Sequence, residues 1–266
     1  MKIGFIGGGT MAEAIIGAVL SGKLAAPEDI VVGEPLPQRR EALAERYKIN
    51  VTADNAKAVR GAEIVVLAVK PNQFPTVAAG LKERLRANQT VLSIMAGVTV
   101  ASLRGGLSHD AVVRVVPNMP AQVGEGMSVW TAVPEVTDDA RAKVRLILQA
   151  AGRDVYFEEE RFIDMATAVS GSGPGFVFLL MEAFSDGAVH LGLSRETARE
   201  LVVQTFLGSA RLAQETGRPV SELRALVTTP GGTTAEGVLV LEEAGLRAAI
   251  TEALIATYEK SKALGG

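Results

Sequence analysis

The sequence predicts an α/β fold, with a doubly wound parallel sheet over residues 1–160 and an all-helical domain over residues 161–266. Three observations predict it. Short apolar runs alternate with amphipathic stretches in the first part, which is the rhythm of βαβ units. That rhythm stops at Glu158-Glu159-Glu160, and only helical patterns follow. The length of 266 residues, 48% of them hydrophobic, suits two modest domains of about 100–200 residues each.

The apolar runs lie at 2–6, 30–32, 64–69, 90–94 and 112–116. Each is nearly continuous rather than alternating, as expected of parallel strands covered on both faces. Helical stretches at 37–47 and 73–85 separate them. Further runs at 127–131 and 155–157 extend the edge of the sheet. Thr137 is an N-cap, with Asp138 and Asp139 in the first turn of a helix that reaches 151. Beyond residue 160, helical patterns cover 174–191, 194–216, 221–226, 234–244 and 246–263, with Gly217 and Gly245 just past helix ends. Several faces of these helices carry few charges, which predicts burial against a second copy of the chain.

Composition excludes several functions. A net charge of −3 with 21% charged residues leaves no basic footprint for nucleic acid or an anionic membrane. Aromatics, at 5%, are too few for a base-stacking surface. With no cysteine there is no disulfide, no Cys-ligated metal and no thiol nucleophile. His109 and His190 have no metal-ligand spacing and are expected to be structural or solvated, so no metal is expected. Glycines and Glu13 interrupt the one signal-like stretch at the start, and polar residues break every long apolar run. A cytoplasmic protein without a membrane span is expected.

The strand at 2–6 runs into Gly7-Gly8-Gly9-Thr10-Met11-Ala12, a G-x-G-x-x-A turn that opens a helix. Gly7 permits the tight turn, Gly9 lets backbone approach a pyrophosphate, and Ala12 lets helix and strand pack closely. The helix N-terminus offers free N–H groups to that anion. Strand two ends at Glu34, where an acid accepts from the adenosine ribose hydroxyls and favours NAD. Arg39 and Arg40 follow closely and could meet a 2′-phosphate, so cofactor preference stays open. Ala68-Val69-Lys70-Pro71, Ala96-Gly97-Val98-Thr99 and Pro117-Asn118-Met119-Pro120 follow strands at the end where ligands sit in such sheets.

The helical part contains Thr228-Thr229-Pro230-Gly231-Gly232-Thr233-Thr234-Ala235-Glu236. Thr233 and Glu236 have capping-box spacing, which makes Thr233 the N-cap of a helix. The two glycines bare backbone N–H groups, and Thr234 adds a hydroxyl, so the stretch suits a carboxylate. A well-capped helix after a glycine turn is the alternative. Gly171-Ser172-Gly173-Pro174 reads as a second helix entry, serving close packing or substrate.

Together these motifs resemble the pyrroline-5-carboxylate reductase family, over essentially the whole length. Ser170-Gly171-Ser172-Gly173-Pro174 and Pro230-Gly231-Gly232-Thr233-Thr234 are the specific ones; the glycine turn is shared with many dehydrogenases. The resemblance implies a Rossmann-like N-terminal domain and an all-helical dimerisation domain. It implies a homodimer, or a larger ring of dimers. It implies an enzyme that reduces 1-pyrroline-5-carboxylate, a small imino acid, to L-proline with NADPH or NADH, the last step of proline synthesis. Thr234 would face the imine nitrogen, and Val227, Thr229, Gly231, Gly232 and Thr233 would hold the carboxylate. The cofactor would meet Gly7, Gly8, Gly9, Thr10, Met11, Glu34, Asn55, Ala68, Val69, Lys70, Pro71, Ala96, Gly97 and Asn118.

The chain departs from the family at two points. Members that prefer NADP often carry small polar residues where Glu34 stands, and some carry Ser or Cys where Thr229 stands. Two other classes are weaker. A β-hydroxyacid dehydrogenase needs a lysine acid in the helical domain, yet no lysine occurs between Lys143 and Lys260. A nucleotide sensor without turnover needs no second anion pocket.

Overall fold

A computed structural model describes residues 1–265. Eight strands form one sheet: β1 (Ile3–Ile6), β2 (Ile30–Gly33), β3 (Asn50–Thr52), β4 (Ile64–Leu67), β5 (Thr90–Ser93), β6 (Val112–Val116), β7 (Gly126–Ala132) and β8 (Gly152–Tyr156). Their order is β3-β2-β1-β4-β5-β6-β7-β8. Pairing is parallel from β3 to β6, antiparallel between β6 and β7, and parallel again between β7 and β8. The expected α/β architecture is therefore present. β1, β4, β5 and β6 are buried along their whole length, which is why their sequences are continuous apolar runs.

The helices between strands are α1 (Thr10–Ser21), α2 (Pro37–Tyr47), α3 (Asn55–Val59), α4 (Phe74–Leu81), α5 (Val100–Leu107) and α6 (Asp138–Ala150). Thr137 caps α6 as expected, accepting from the Ala140 N–H at 3.2 Å. Sequence patterns miss β3, α3 and α5. β3 has three residues, none buried, and so carries no apolar run. The antiparallel turn of β7 also leaves no signature, since periodicity is blind to strand direction.

The remaining helices are α7 (Arg161–Ala166), α8 (Gly173–His190), α9 (Arg195–Thr216), α10 (Val220–Val227), α11 (Thr233–Glu243) and α12 (Leu246–Gly265). No strand is found beyond β8 among the described residues. The chain divides into two compact units. The first comprises Met1–Ser172 and the chain from Thr257 onward; the second is Gly173–Ala256. In the second unit, Phe184 of α8 meets Phe206 of α9 edge to face, with centroids 5.3 Å apart. Phe178, Leu179, Leu207 and Leu212 remain exposed on these two helices.

Two expected helix starts are revised. Gly171-Ser172-Gly173-Pro174 does lead into α8, which starts at Gly173 after a bend at Ser172, but a helical turn rather than an open loop precedes it. A wide turn at Thr167–Gly171 bridges α7 and α8, with the Ser172 N–H donating to the Thr167 carbonyl five residues back at 2.8 Å. Proline supplies no N–H, so Pro174 leaves the Ser170 carbonyl without its helical donor. The Asn118 amide donates to that carbonyl at 3.0 Å instead. By length and hydropathy the run Arg161–His190 could cross a membrane, a test that the core helix of a soluble protein also passes. The second correction concerns α11. Thr233 is its first helical residue rather than its cap; Gly232 is the N-cap and no side chain caps it.

Candidate active site

The glycine turn forms the floor of the first candidate site. Gly7 has φ +97°, and a Cβ there would lie 2.7 Å from the Ala68 carbonyl and 3.1 Å from Val69. Glycine is therefore needed, because Ala68 and Val69 pack directly over the turn between β1 and β4. The Gly7 N–H donates to Gly33 and the Ala68 N–H to Ile6, both at 2.8 Å, which ties three strand ends together. Gly9 faces open space, and no side chain caps the N-terminus of α1. Thr10 and Met11, the first two residues of α1, thus present unclaimed first-turn N–H groups, as a pyrophosphate requires. These residues fit a dinucleotide.

Glu34 is buried at the end of β2, 7% exposed. Its carboxylate accepts from the Gly8 N–H at 2.9 Å and the Leu36 N–H at 3.0 Å. Asn55, the first residue of α3, sits over Gly33, where any Cβ would collide with its amide oxygen. Glu34 and Asn55 are thereby brought together beside the glycine turn. Arg39 donates to the Gly8 carbonyl at 2.6 Å and pairs with Glu13. Arg40 donates to the carbonyls of Glu34 at 2.7 Å and Pro35 at 2.8 Å. Glu13 also accepts from Arg46 at 2.8 Å and the Tyr47 hydroxyl at 3.1 Å. Burial alone would raise the Glu13 carboxyl, but Arg39, Tyr47 and Arg46 outweigh it and hold it below its ordinary value. Burial and the Glu13 charge push the Tyr47 hydroxyl up.

The other sheet-end residues differ in what they offer. Lys70 and Pro71 are exposed beyond β4, and Lys70 is held by its backbone N–H donating to Gln73 at 3.3 Å. Ala96 is exposed and Gly97 buried on the loop after β5. Gly97 has φ +74°, and a Cβ there would lie 2.8 Å from Cβ of Leu264 near the C-terminal end of α12. Asn118 is buried with both ends of its amide engaged: it donates to Ser170 and accepts from the Met127 N–H at 2.8 Å. His109 is buried against the Gln89 carbonyl at 2.8 Å, a structural role.

Sequence patterns overlook one group, Arg114 at the centre of β6. It is 1% exposed and pairs with Glu160 and Asp164, each at 2.7 Å. Glu160 also accepts from the Val100 N–H at the start of α5, at 2.8 Å. Asp164 accepts from the Ser261 hydroxyl on α12, at 3.1 Å. The available signal was a lone arginine inside Val112-Val113-Arg114-Val115-Val116, since a buried cation demands nearby acids.

The second candidate site lies on the second unit. Gly231 has φ +69°, and the Gly232 N–H donates to the Thr229 carbonyl at 3.0 Å, closing a tight turn before α11. The Ala235 and Glu236 N–H groups turn back to the Gly232 carbonyl, which leaves the Thr233 and Thr234 N–H groups at the uncapped end. Val227, Thr229, Gly231, Thr233 and Thr234 are exposed there, with Gly232 half-buried. An uncapped helix N-terminus flanked by hydroxyls can hold a carboxylate.

Comparison with known proteins accords with both halves. A family profile described as pyrroline-5-carboxylate reductase dimerisation matches residues 160–264. One described as NADP oxidoreductase, coenzyme F420-dependent, matches residues 2–97. The pyrroline-5-carboxylate reductase of Synechocystis is 44% identical over 266 residues, covering 100% of this chain and 98% of that protein. The structure of a Coxiella burnetii pyrroline-5-carboxylate reductase aligns with TM-score 0.93 at 37% identity, covering 100% of this chain and 98% of the other. That of a Plasmodium falciparum pyrroline carboxylate reductase with NADP bound aligns with TM-score 0.91 at 31% identity, covering 100% and 98%. Likeness at this level over both the sheet and the helices places the chain in the pyrroline-5-carboxylate reductase family.

Proposed function

We propose that the protein reduces 1-pyrroline-5-carboxylate to L-proline with a reduced nicotinamide dinucleotide. Full-length similarity to named pyrroline-5-carboxylate reductases carries the proposal. The two uncapped helix N-termini support it: α1 for a pyrophosphate and α11 for a carboxylate. A bound nicotinamide supplies the hydride for the C=N carbon. The chain's own task is to hold and orient. Gly7, Gly8, Gly9, Thr10 and Met11 cradle the pyrophosphate, and Glu34 and Asn55 take the adenosine ribose. Ala68, Val69, Lys70, Pro71, Ala96 and Gly97 border the rest of the cofactor, with Asn118 bracing the loop after β6.

On the second unit, Gly231, Gly232 and Thr233 hold the substrate carboxylate, with Val227 and Thr229 flanking it. Thr234 offers its hydroxyl to the ring nitrogen. An imine can arrive already protonated at nitrogen, so reduction needs no strong protein acid, in keeping with the absence of cysteine and the structural His109. Residues 1–160 thus form the nucleotide domain and residues 161–266 the substrate and dimerisation domain. The setting is the cytoplasm and the working form a homodimer, able to assemble further into a ring. The test mixes the protein with 1-pyrroline-5-carboxylate and NADH or NADPH. Absorbance of the reduced nicotinamide should fall as L-proline appears; no loss with either cofactor would end the proposal.

A further inference from the structure

We infer that Glu34 makes this protein selective for the dinucleotide without a 2′-phosphate, NADH over NADPH. The inference rests on residues 1–160 binding a dinucleotide, as proposed above, but not on which imine is reduced. Three observations carry it. Glu34 sits where the ribose is expected, between the end of β2 and the glycine turn, with its carboxylate 2.9 Å from the Gly8 N–H. It cannot swing aside cheaply: it is 7% exposed and also accepts from the Leu36 N–H. A carboxylate fixed there has lone pairs left to accept ribose hydroxyls. It would instead face a 2′-phosphate as a like charge in a partly desolvated corner, which is unfavourable for both.

Both nearby arginines are tied to the fold. Arg39 binds the Gly8 carbonyl through Nε and pairs with Glu13, and one nitrogen of Arg40, Nη1, reaches the carbonyls of Glu34 and Pro35. They brace the loop that positions Glu34. The neighbouring strand adds another acid: Thr52 of β3 pairs with Gly33, and Asp54 follows two residues later as the N-cap of α3.

The experiment is calorimetric titration of the purified protein with NAD⁺ and with NADP⁺, without substrate. Roughly tenfold or more tighter binding of NAD⁺ is expected, the scale of one charge-assisted hydrogen bond set against one repulsion. Equal or tighter binding of NADP⁺ would overturn the inference. Glu34→Ser should lower the NAD⁺ to NADP⁺ affinity ratio by about tenfold; an unchanged ratio would remove Glu34 as its cause. Glu34→Gln keeps an acceptor for the Gly8 N–H while removing the charge, so it should fold and lower the ratio in the same direction. If wild-type protein selects NAD⁺ but turns over no 1-pyrroline-5-carboxylate, this inference stands and the proposed substrate falls. If it reduces the imine but selects NADP⁺, the reverse holds.

Discussion

Thr234 is proposed to act on the substrate, whereas Glu13 acts on stability. Thr234 is exposed at the uncapped start of α11, and no fold contact depends on its hydroxyl among the described residues. Thr234→Ala should therefore leave stability and NAD⁺ binding unchanged. It should lower kcat/KM for the imine by about 10²–10³-fold, the cost of losing one hydrogen bond made in the transition state. Unchanged steady-state kinetics would remove Thr234 from the mechanism. Glu13 carries a pH effect instead. Its carboxyl is held below the ordinary value of 4.5, mainly by Arg39 working against burial, so the stability it contributes is present at neutral pH. That contribution is lost as pH falls through its lowered folded value. Glu13→Gln should lower the urea midpoint at neutral pH, and the difference from wild type should shrink away as pH falls through the lowered folded value. A difference that persists in acid would show that packing, not charge, is at stake.

Between elements, the buried Arg114 joins β6 to α7 through Glu160 and Asp164, and these acids in turn hold the starts of α5 and the end of α12. Arg114→Leu would leave two partly buried acids without their cation. Removal of one partner from such a group costs about 3–5 kcal/mol, read as a shift in the denaturant midpoint. A shift below about 1 kcal/mol would mean that solvent screens the acids as on an open surface. Helix and strand positions were largely readable, because continuous apolar runs and capping residues are local signals. Thr137 is one such signal, and its hydroxyl caps α6 in the structure. The start of α8 was readable to within a residue from its glycine and proline, but the wide turn before it was not. That turn depends on Asn118, distant in sequence, which takes the carbonyl that Pro174 orphans.

For the whole molecule, the second unit has more apolar surface than a lone helical layer can hide. Phe178, Leu179, Leu207 and Leu212 are exposed on α8 and α9, and the match to a dimerisation profile begins at residue 160. Leu207→Glu should dissociate the proposed dimer in sedimentation velocity runs while leaving helical circular dichroism intact. Wild-type protein sedimenting as a monomer at about 10 μM would refute the dimer. Composition and local pattern by themselves determined the α/β class, the glycine turn and the helical second part. They could do so because hydrophobic period and backbone chemistry act over a few residues. Only the tertiary structure decided that Asn118 serves the backbone, that Glu34 is locked against Gly8 while Arg39 and Arg40 brace it, and that Arg114 gathers its acids from distant segments. Those outcomes depend on which buried polar groups meet across the fold. A buried donor or acceptor must find a partner wherever the chain brings one, and sequence separation places no limit on where that is.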